Sequence, residues 1–250
     1  MTDRAQANGD TVDPRPGEEL PADELSQLLG ADVTVAQFPS GHSNLTYLVR
    51  AADRELVLRR PPRGYRDIAA GHDMRREFRI LTGLEGRYAK APRPVRFVGE
   101  DESPMGCPFY LMERVRGTIL RPPLPPDVEL TPDLLRQISH ALVETLVELH
   151  AVDHVAAGLA DLGRGDGYLE RQVSGWTRRY ARARTDDISD MVAVAEWLGR
   201  NVPPGGESTL IHNDFKHDNV VLDPADLTRV VALLDWEMAT IGDPLADLGT

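Results

Sequence analysis

Three polar side chains near the end of the chain have the types and spacing to do chemistry. Asp214 and Asn219 stand five residues apart in Ile211-His-Asn-Asp-Phe-Lys-His-Asp-Asn219, and Asp235 follows the apolar run Val230-Val-Ala-Leu-Leu234. Metal-assisted phosphoryl transfer needs such a set. One carboxylate orients an attacking hydroxyl and takes its proton, while an amide oxygen and a second carboxylate hold Mg²⁺ against nucleotide phosphates. On this reading Asp214 is the catalytic base, and Asn219 and Asp235 are the metal ligands. A lone capping aspartate would explain Asp214 but not the other two at these intervals.

The protein-kinase signature places an Asp five positions before a metal-binding Asn and a second metal-binding Asp later. A closer match is wider. The segment from His212 to Gly249, HNDFKHDN…LLDWEMATIGDPLADLG, resembles the aminoglycoside phosphotransferase and choline kinase family, a branch of the kinase-like fold. Within that family, LDWEMATIGDPLADLG is most similar to the subgroup fused to acyl-CoA dehydrogenases in animals and found alone in bacteria. The resemblance implies a bilobal, protein-kinase-like α+β fold, with a small antiparallel-sheet lobe and a mainly helical large lobe. It implies ATP and Mg²⁺ as well, and it leads one to expect further helices beyond Thr250. One position departs from the family pattern: Asn213 stands where Gly is usual. Asn tolerates left-handed backbone angles better than most residues, so the loop is expected to survive the change.

A kinase of this type holds nucleotide phosphate with a cation on its third strand, paired to a carboxylate on the next helix. The resemblance gives these roles to Arg59 in LVLRR and Glu77 in RREFRIL. Arg60 competes with Arg59, and both could be solvated surface charges. Adjacent strand residues face opposite ways, so only one of the two can point to the site. The loop Pro39-Ser-Gly-His-Ser-Asn44 sits where a phosphate-covering hairpin belongs. Its single Gly41 is weak evidence, but Ser43 and Asn44 can offer hydroxyl and N–H groups to phosphate. Phe109-Tyr-Leu-Met-Glu-Arg-Val115 resembles the strand that meets adenine through backbone groups, here those of Glu113 and Val115. Lys216 reads either as a γ-phosphate contact or as a surface lysine. His212 reads as a buttress of its loop, Asp243 and Asp247 as anchors of the catalytic segment, and Trp236 as core. His140, His150 and His154 lack a metal-ligand pattern and read as structural or surface groups.

The positioning elements follow from periodicity. Asp32–Phe38, Leu45–Val49 and Glu55–Arg59 read as three strands separated by turns, and His72–Gly86 as a helix with Met74, Phe78, Leu81 and Leu84 at helical spacing. Two more strands, Pro94–Gly99 and Phe109–Arg114, complete the small lobe, residues 22–116. Gly117 and Arg121-Pro-Pro-Leu-Pro-Pro126 mark an irregular crossing into the large lobe, residues 117–250. There Thr131-Pro-Asp133 starts a helix whose apolar face runs through Leu134, Leu135, Ile138, Leu142, Leu146 and Leu149. Helices over 167–184 and 188–201 precede the catalytic loop and a hairpin turning near Asp223–Asp226.

Composition excludes several alternatives. A net charge of -12 disfavours nucleic acid as a partner, though a local basic site can still take a nucleotide. Mean hydropathy is -0.33, and charges interrupt every apolar stretch, so no membrane span is expected. Residues 1–21 are acidic, rich in Gly and Pro, and read as a disordered lead-in without the apolar core of a secretory signal. A single cysteine, Cys107, rules out an internal disulfide framework and fits a cytoplasmic setting. The expected activity is ATP- and Mg²⁺-dependent phosphorylation of a small-molecule hydroxyl, on a hydroxyacyl-type or aminoglycoside-like acceptor. The rivals are a nucleotide-binding module without turnover and a protein kinase, the latter lacking an activation segment between Asp235 and GDPLADLG.

Overall fold

A computed structural model of the chain describes residues 10–39, 43–65, 72–122, 124 and 128–249. Gly41 and much of the proline-rich crossing at 121–126 therefore lie outside the described residues. The chain separates into two compact units, Met1–Glu129 with Asp218–Glu237, and Leu130–His217 with Met238–Thr250.

The first unit is built on a five-stranded antiparallel sheet. Strands β1 (Val33–Gln37), β2 (Leu45–Ala51) and β3 (Arg54–Arg60) form a meander, and β4 (Pro94–Val98) and β5 (Phe109–Glu113) complete the order β1-β2-β3-β5-β4. The near-continuous apolar runs of β2, β3 and β5 have a physical reason, because both faces of these strands are covered. On one face Tyr47, Val49, Leu56, Leu58, Phe109 and Leu111 cluster with Leu25 of helix α1 (Ala22–Leu29). Helix α2 (Met74–Leu84) packs on β4 and β5 and buries Met74, Ile80, Leu81 and Leu84, while its Phe78 ring lies 6.0 Å from Tyr110. Asp73 starts this helix by accepting the Arg76 N–H at 2.9 Å.

Two expectations change here. Residues 10–21 form an ordered strap instead of a disordered lead-in. Val12 and Gln37 exchange both backbone hydrogen bonds at 2.8 Å, the Tyr47 hydroxyl donates to the Glu18 carbonyl at 2.7 Å, and Leu20 joins the core. Composition alone missed this because the strap is held by groups donated from the sheet and not by its own periodicity. The two-lobe boundary at 116/117 also shifts, since the hairpin β7 (Val220–Asp223) and β8 (Asp226–Leu233) belongs to the first unit. Thr118 and Leu222 exchange backbone hydrogen bonds at 2.8 Å, and Gly117 is pressed so close to this hairpin that a Cβ there would lie 2.4 Å from Val221 Cγ1.

The second unit contains α3 (Pro132–His150), α4 (Tyr168–Ala183), α5 (Ser189–Arg200), the antiparallel pair β6 (Thr209–Ile211) and β9 (Thr240–Gly242), and the short α6 (Leu245–Leu248). Thr131 caps α3 as expected, its Oγ1 accepting the Leu134 N–H at 3.2 Å. The apolar face of α3 is only partly used: Ile138, Leu146 and Leu149 are buried, whereas Leu135 is exposed. No described helix is long and apolar enough to cross a membrane.

Candidate active site

In the first unit the β7–β8 hairpin sets two of the expected site residues side by side. Val220 pairs with Leu233, and the Leu234 N–H donates to the Asn219 carbonyl at 2.8 Å. Asn219 and Asp235 therefore sit at the same open end of the hairpin. Asp235 adopts φ 69, a left-handed conformation that Asp, like Asn, accepts more readily than other residues with a Cβ. The chain turns away from β8 there, leaving the Asp235 carboxylate part-exposed while Trp236 is buried, its indole N–H donating to the Leu233 carbonyl at 2.9 Å.

The third strand supplies the cation. Arg59 and Arg60 point to opposite faces. Arg60 reaches the Tyr47 hydroxyl at 3.1 Å and the Glu18 carbonyl at 3.4 Å, so it pins the N-terminal strap. Arg59 lies on the α2 face. Its Nη1 is 3.2 Å from Glu77 Oε1, and its Nη2 is 3.0 Å from Asp235 Oδ1 and 3.3 Å from Glu237 Oε2. Burial works against the Arg59 charge, but Glu77 and the other surrounding groups outweigh it and hold the guanidinium protonated above its ordinary range. The Tyr110 hydroxyl on β5 and the Trp236 backbone N–H also bind Glu77, fixing the carboxylate that fixes Arg59.

Glu237, Tyr110, His72 and Arg76 are site residues that the sequence reading did not single out. The Glu237 carboxyl is pushed up to about 7, first by burial and next by the Asp235 charge. Asn44 Nδ2 donates to Glu237 Oε2 at 2.7 Å, and Ser43 adds a side-chain hydrogen bond. His72 Nδ1 meets Asn44 Oδ1 at 2.8 Å, and Arg76 Nη1 donates to the Glu237 carbonyl at 3.1 Å. Only the D-W-E spacing, two residues beyond Asp235, could have drawn attention to Glu237. Ser43 and Asn44 thus lie with Arg59, Asp235 and Glu237 in one cluster. Glu113 and Val115 stand apart from it: the Glu113 N–H donates to the Arg93 carbonyl at 2.8 Å, and the Glu113 side chain pairs with Arg93 at 3.1 Å.

These groups fit a hard divalent cation. The oxygens of Asn219 and Asp235 are of the type Mg²⁺ prefers, and Mg²⁺ sites need only one or two protein carboxylates because water and phosphate complete the shell. Three acidic groups, Glu77, Asp235 and Glu237, face the one Arg59 guanidinium, a surplus of negative charge that a cation would relieve. Among the described residues no group of three or more His, Cys, Asp or Glu side chains forms a self-contained metal cage.

In the second unit the loop after β6 carries Asp214. Asn213 adopts φ 66, the left-handed angle for which Gly is usual, and offsets the cost with local bonds. The Tyr168 hydroxyl donates to Asn213 Oδ1 at 3.0 Å. The loop is anchored by Asp247, whose buried carboxylate accepts the His212 N–H at 2.9 Å, the Asn213 N–H at 2.6 Å and a contact from His150 Nε2 at 2.9 Å. Asp243 accepts the Gly206 N–H at 3.1 Å and the Leu245 N–H at 2.9 Å, bracing the approach to β6. The His212 ring is buried edge-on to Phe215. Lys216 Nζ lies 2.9 and 2.8 Å from the two Asp214 oxygens, so an ammonium sits against the expected base.

With this geometry in place, a family model described as the phosphotransferase enzyme family, APH, matches residues 34–250. The chain belongs to the APH phosphotransferase family. Acyl-CoA dehydrogenase family member 11 of Homo sapiens is 40% identical over 219 residues, covering 87% of this chain and 27% of that protein. Member 10 of Mus musculus is 39% identical over 237 residues, covering 92% and 22%. The APH chain thus spans about a quarter of the length of these curated relatives. A crystal structure of a Ralstonia eutropha protein assigned as an aminoglycoside phosphotransferase matches with TM-score 0.77 and 29% identity, covering 91% of this chain and 68% of that one. The aminoglycoside phosphotransferase APH(4)-Ia, solved with ADP and hygromycin B, matches with TM-score 0.63 and 18% identity, covering 91% and 74%, a likeness of fold. The fold is the kinase-like α+β type that the motifs led us to expect.

Proposed function

We propose that this APH-family chain is an ATP- and Mg²⁺-dependent phosphotransferase acting on a small-molecule hydroxyl. The observation that carries the reading is the buried Arg59 fork, 3.2 Å from Glu77 and 3.0 Å from Asp235. An arginine held this way is preorganised to meet phosphate, because its geometry is set before the ligand arrives. Asn219 and Asp235 would hold Mg²⁺, which when bound neutralises charge on the nucleotide phosphates. Ser43 and Asn44 would add donors to the same phosphates. Because the Glu113 N–H is already used by Arg93, adenine would be met by the Glu113 carbonyl and the Val115 N–H.

Asp214 would orient the acceptor hydroxyl and take its proton as the new O–P bond forms and the bond from the γ-phosphorus to the ADP oxygen breaks. Lys216, against both Asp214 oxygens, would hold that carboxylate in one orientation. Positioning and fixed charge supply most of the acceleration in this chemistry. A hydroxyacyl-type acceptor is favoured over an aminoglycoside, since the curated relatives named above are acyl-CoA dehydrogenase family members. ADP formation from ATP and Mg²⁺, measured with and without panels of hydroxyacyl compounds and aminoglycosides, tests the reading. Asp214→Asn is expected to lower turnover by about two to four orders of magnitude with little change in ATP affinity. Near-full transfer by this variant would refute the assigned base.

A further inference from the structure

Among the strongest contacts in the first unit is one the proposed reaction does not use. Glu237 Oε2 accepts from Asn44 Nδ2 at 2.7 Å and from Arg59 Nη2 at 3.3 Å, and Ser43 supplies a third side-chain donor. The Glu237 side chain is only 14% exposed, and its backbone is tied down separately by Arg76 at 3.1 Å. Asn44 is itself oriented. With Nδ2 turned to Glu237, its Oδ1 faces His72 Nδ1 at 2.8 Å, which requires His72 to donate from that nitrogen. A hydroxyl, an amide and a guanidinium, brought from the end of the β1–β2 loop, from β2's approach and from β3, therefore converge on a single carboxylate.

These are the groups that would hold a nucleotide phosphate if the site binds one. Carboxylate and phosphate oxygens accept from the same kinds of donor, and Arg in particular serves both. We infer that Glu237 is an internal stand-in for phosphate: it holds Ser43, Asn44 and Arg59 in their binding arrangement in the nucleotide-free chain and is displaced when a phosphate takes those donors. The inference rests on the nucleotide reading proposed above. Two physical consequences follow. Preorganised donors lower the ordering cost of binding, but the chain's own carboxylate must leave first, so apparent affinity falls with the fraction of molecules in which it remains seated. In its ionised form Glu237 also repels an anion that arrives without a metal, as does the neighbouring Asp235.

Calorimetric titration of the full chain with ADP, once in excess Mg²⁺ and once in EDTA, separates the possibilities. Glu237→Gln keeps the shape of the side chain and removes the charge. It is expected to bind ADP in EDTA about threefold to thirtyfold more tightly than the unsubstituted chain, a change of about 0.6–2 kcal/mol. Glu237→Asp, one methylene shorter and unable to span the same distance to Asn44, is expected to shift the same way by less. Asn44→Ala is expected to weaken ADP in both conditions. A Glu237 that merely braced the fold would lower the melting temperature and leave metal-free ADP affinity unchanged or reduced. Failure of both Glu237 variants to gain affinity in EDTA, with the unsubstituted chain binding ADP normally, overturns the stand-in role and leaves the nucleotide reading intact. Absence of ADP binding by the unsubstituted chain in both conditions overturns the two together.

Discussion

Replacing Asp247 tests how the second unit holds the loop that carries Asp214, and the outcome can be worked from the contacts. The carboxylate is fully buried, with Oδ1 accepting the Asn213 N–H at 2.6 Å and Oδ2 facing both the His212 N–H at 2.9 Å and His150 Nε2 at 2.9 Å. Asparagine offers one oxygen in place of two. If it keeps the shorter bond to Asn213, its NH₂ group faces the His212 N–H, donor against donor. His150 can adapt by presenting a lone pair from the other tautomer, but the His212 amide is left buried without an acceptor. A stranded buried donor costs about 1–3 kcal/mol, and exchanging a charged acceptor for a neutral one weakens the surviving bond by about 1 kcal/mol. Asp247→Asn should therefore ease opening of the loop by about 2–4 kcal/mol, and Asp247→Ala, which strands both amides, by about 3–5 kcal/mol. A chain of two compact units need not unfold in one step, so a local probe is the right assay. Amide hydrogen exchange of His212 and Asn213 should speed up at least about thirtyfold in Asp247→Asn. The β-sheet of the first unit serves as the internal reference and should be unchanged. Exchange at the two loop amides within about threefold of the unsubstituted chain would show that Asp247 does not anchor the loop, whatever the static distances say.

Five other substitutions separate roles within the first unit. Arg59→Ala should weaken ATP binding and turnover together and destabilise the unit by about 3–5 kcal/mol by leaving Glu77 buried without its counter-charge; Arg60→Ala should cost stability alone, and a melting curve beside an ATP titration tells the two apart. Arg59→Lys keeps a charge but cannot reach Glu77 and Asp235 with two arms, so it should retain only part of the binding. Asp235→Ala should damage ATP binding in Mg²⁺ more than in EDTA, and equal losses in both titrations would exclude a metal-ligand role. Gly117→Ala places a Cβ 2.4 Å from Val221 Cγ1 and 2.5 Å from the Leu222 carbonyl. It should therefore cost about 1–3 kcal/mol in urea denaturation by forcing β7 away.

The strands, the α2 helix and the start of α3 were legible because each advertises itself locally. The third strand reads from Glu55 to Arg59 on its aliphatic core and spans Arg54–Arg60 in the structure, and Thr131-Pro132 announces a helix through cap chemistry that the structure reproduces. Strand alternation also separated Arg59 from Arg60, and the contacts of the two guanidiniums on opposite faces follow that phase. The strap at residues 10–21 was illegible for the converse reason. Its order comes from Gln37, Tyr47 and Arg60, which lie elsewhere in the chain, and nothing in its own Gly- and Pro-rich composition encodes them. Helix α1 is only eight residues long and was missed beside it.

The candidate site divides in the same way. Asn219 and Asp235 were legible together because they flank one hairpin, whose ends the Leu234 N–H to Asn219 carbonyl bond draws together, while Asp214 was legible from its interval to Asn219 alone. Asn213 was correctly read as tolerable, since Asn is among the few residues that accept φ 66 at modest cost. Beyond the D-W-E spacing that marks Glu237, nothing local points to Tyr110, His72 or Arg76, because what brings these groups together is long-range: Asn44 and Glu237 meet across 193 positions. In the structure, the charges around Arg59 point to Glu237 more directly than the motif does. One buried arginine faces Glu77, Asp235 and Glu237, and the Glu237 carboxyl is elevated first by its burial and then by the Asp235 charge. Donors from Ser43 and Asn44 absorb part of this acidic surplus in the chain alone. Under the proposed function, a divalent cation and a polyphosphate arriving together would relieve that imbalance, and the acidic groups and the phosphate donors accordingly occupy the same few side chains.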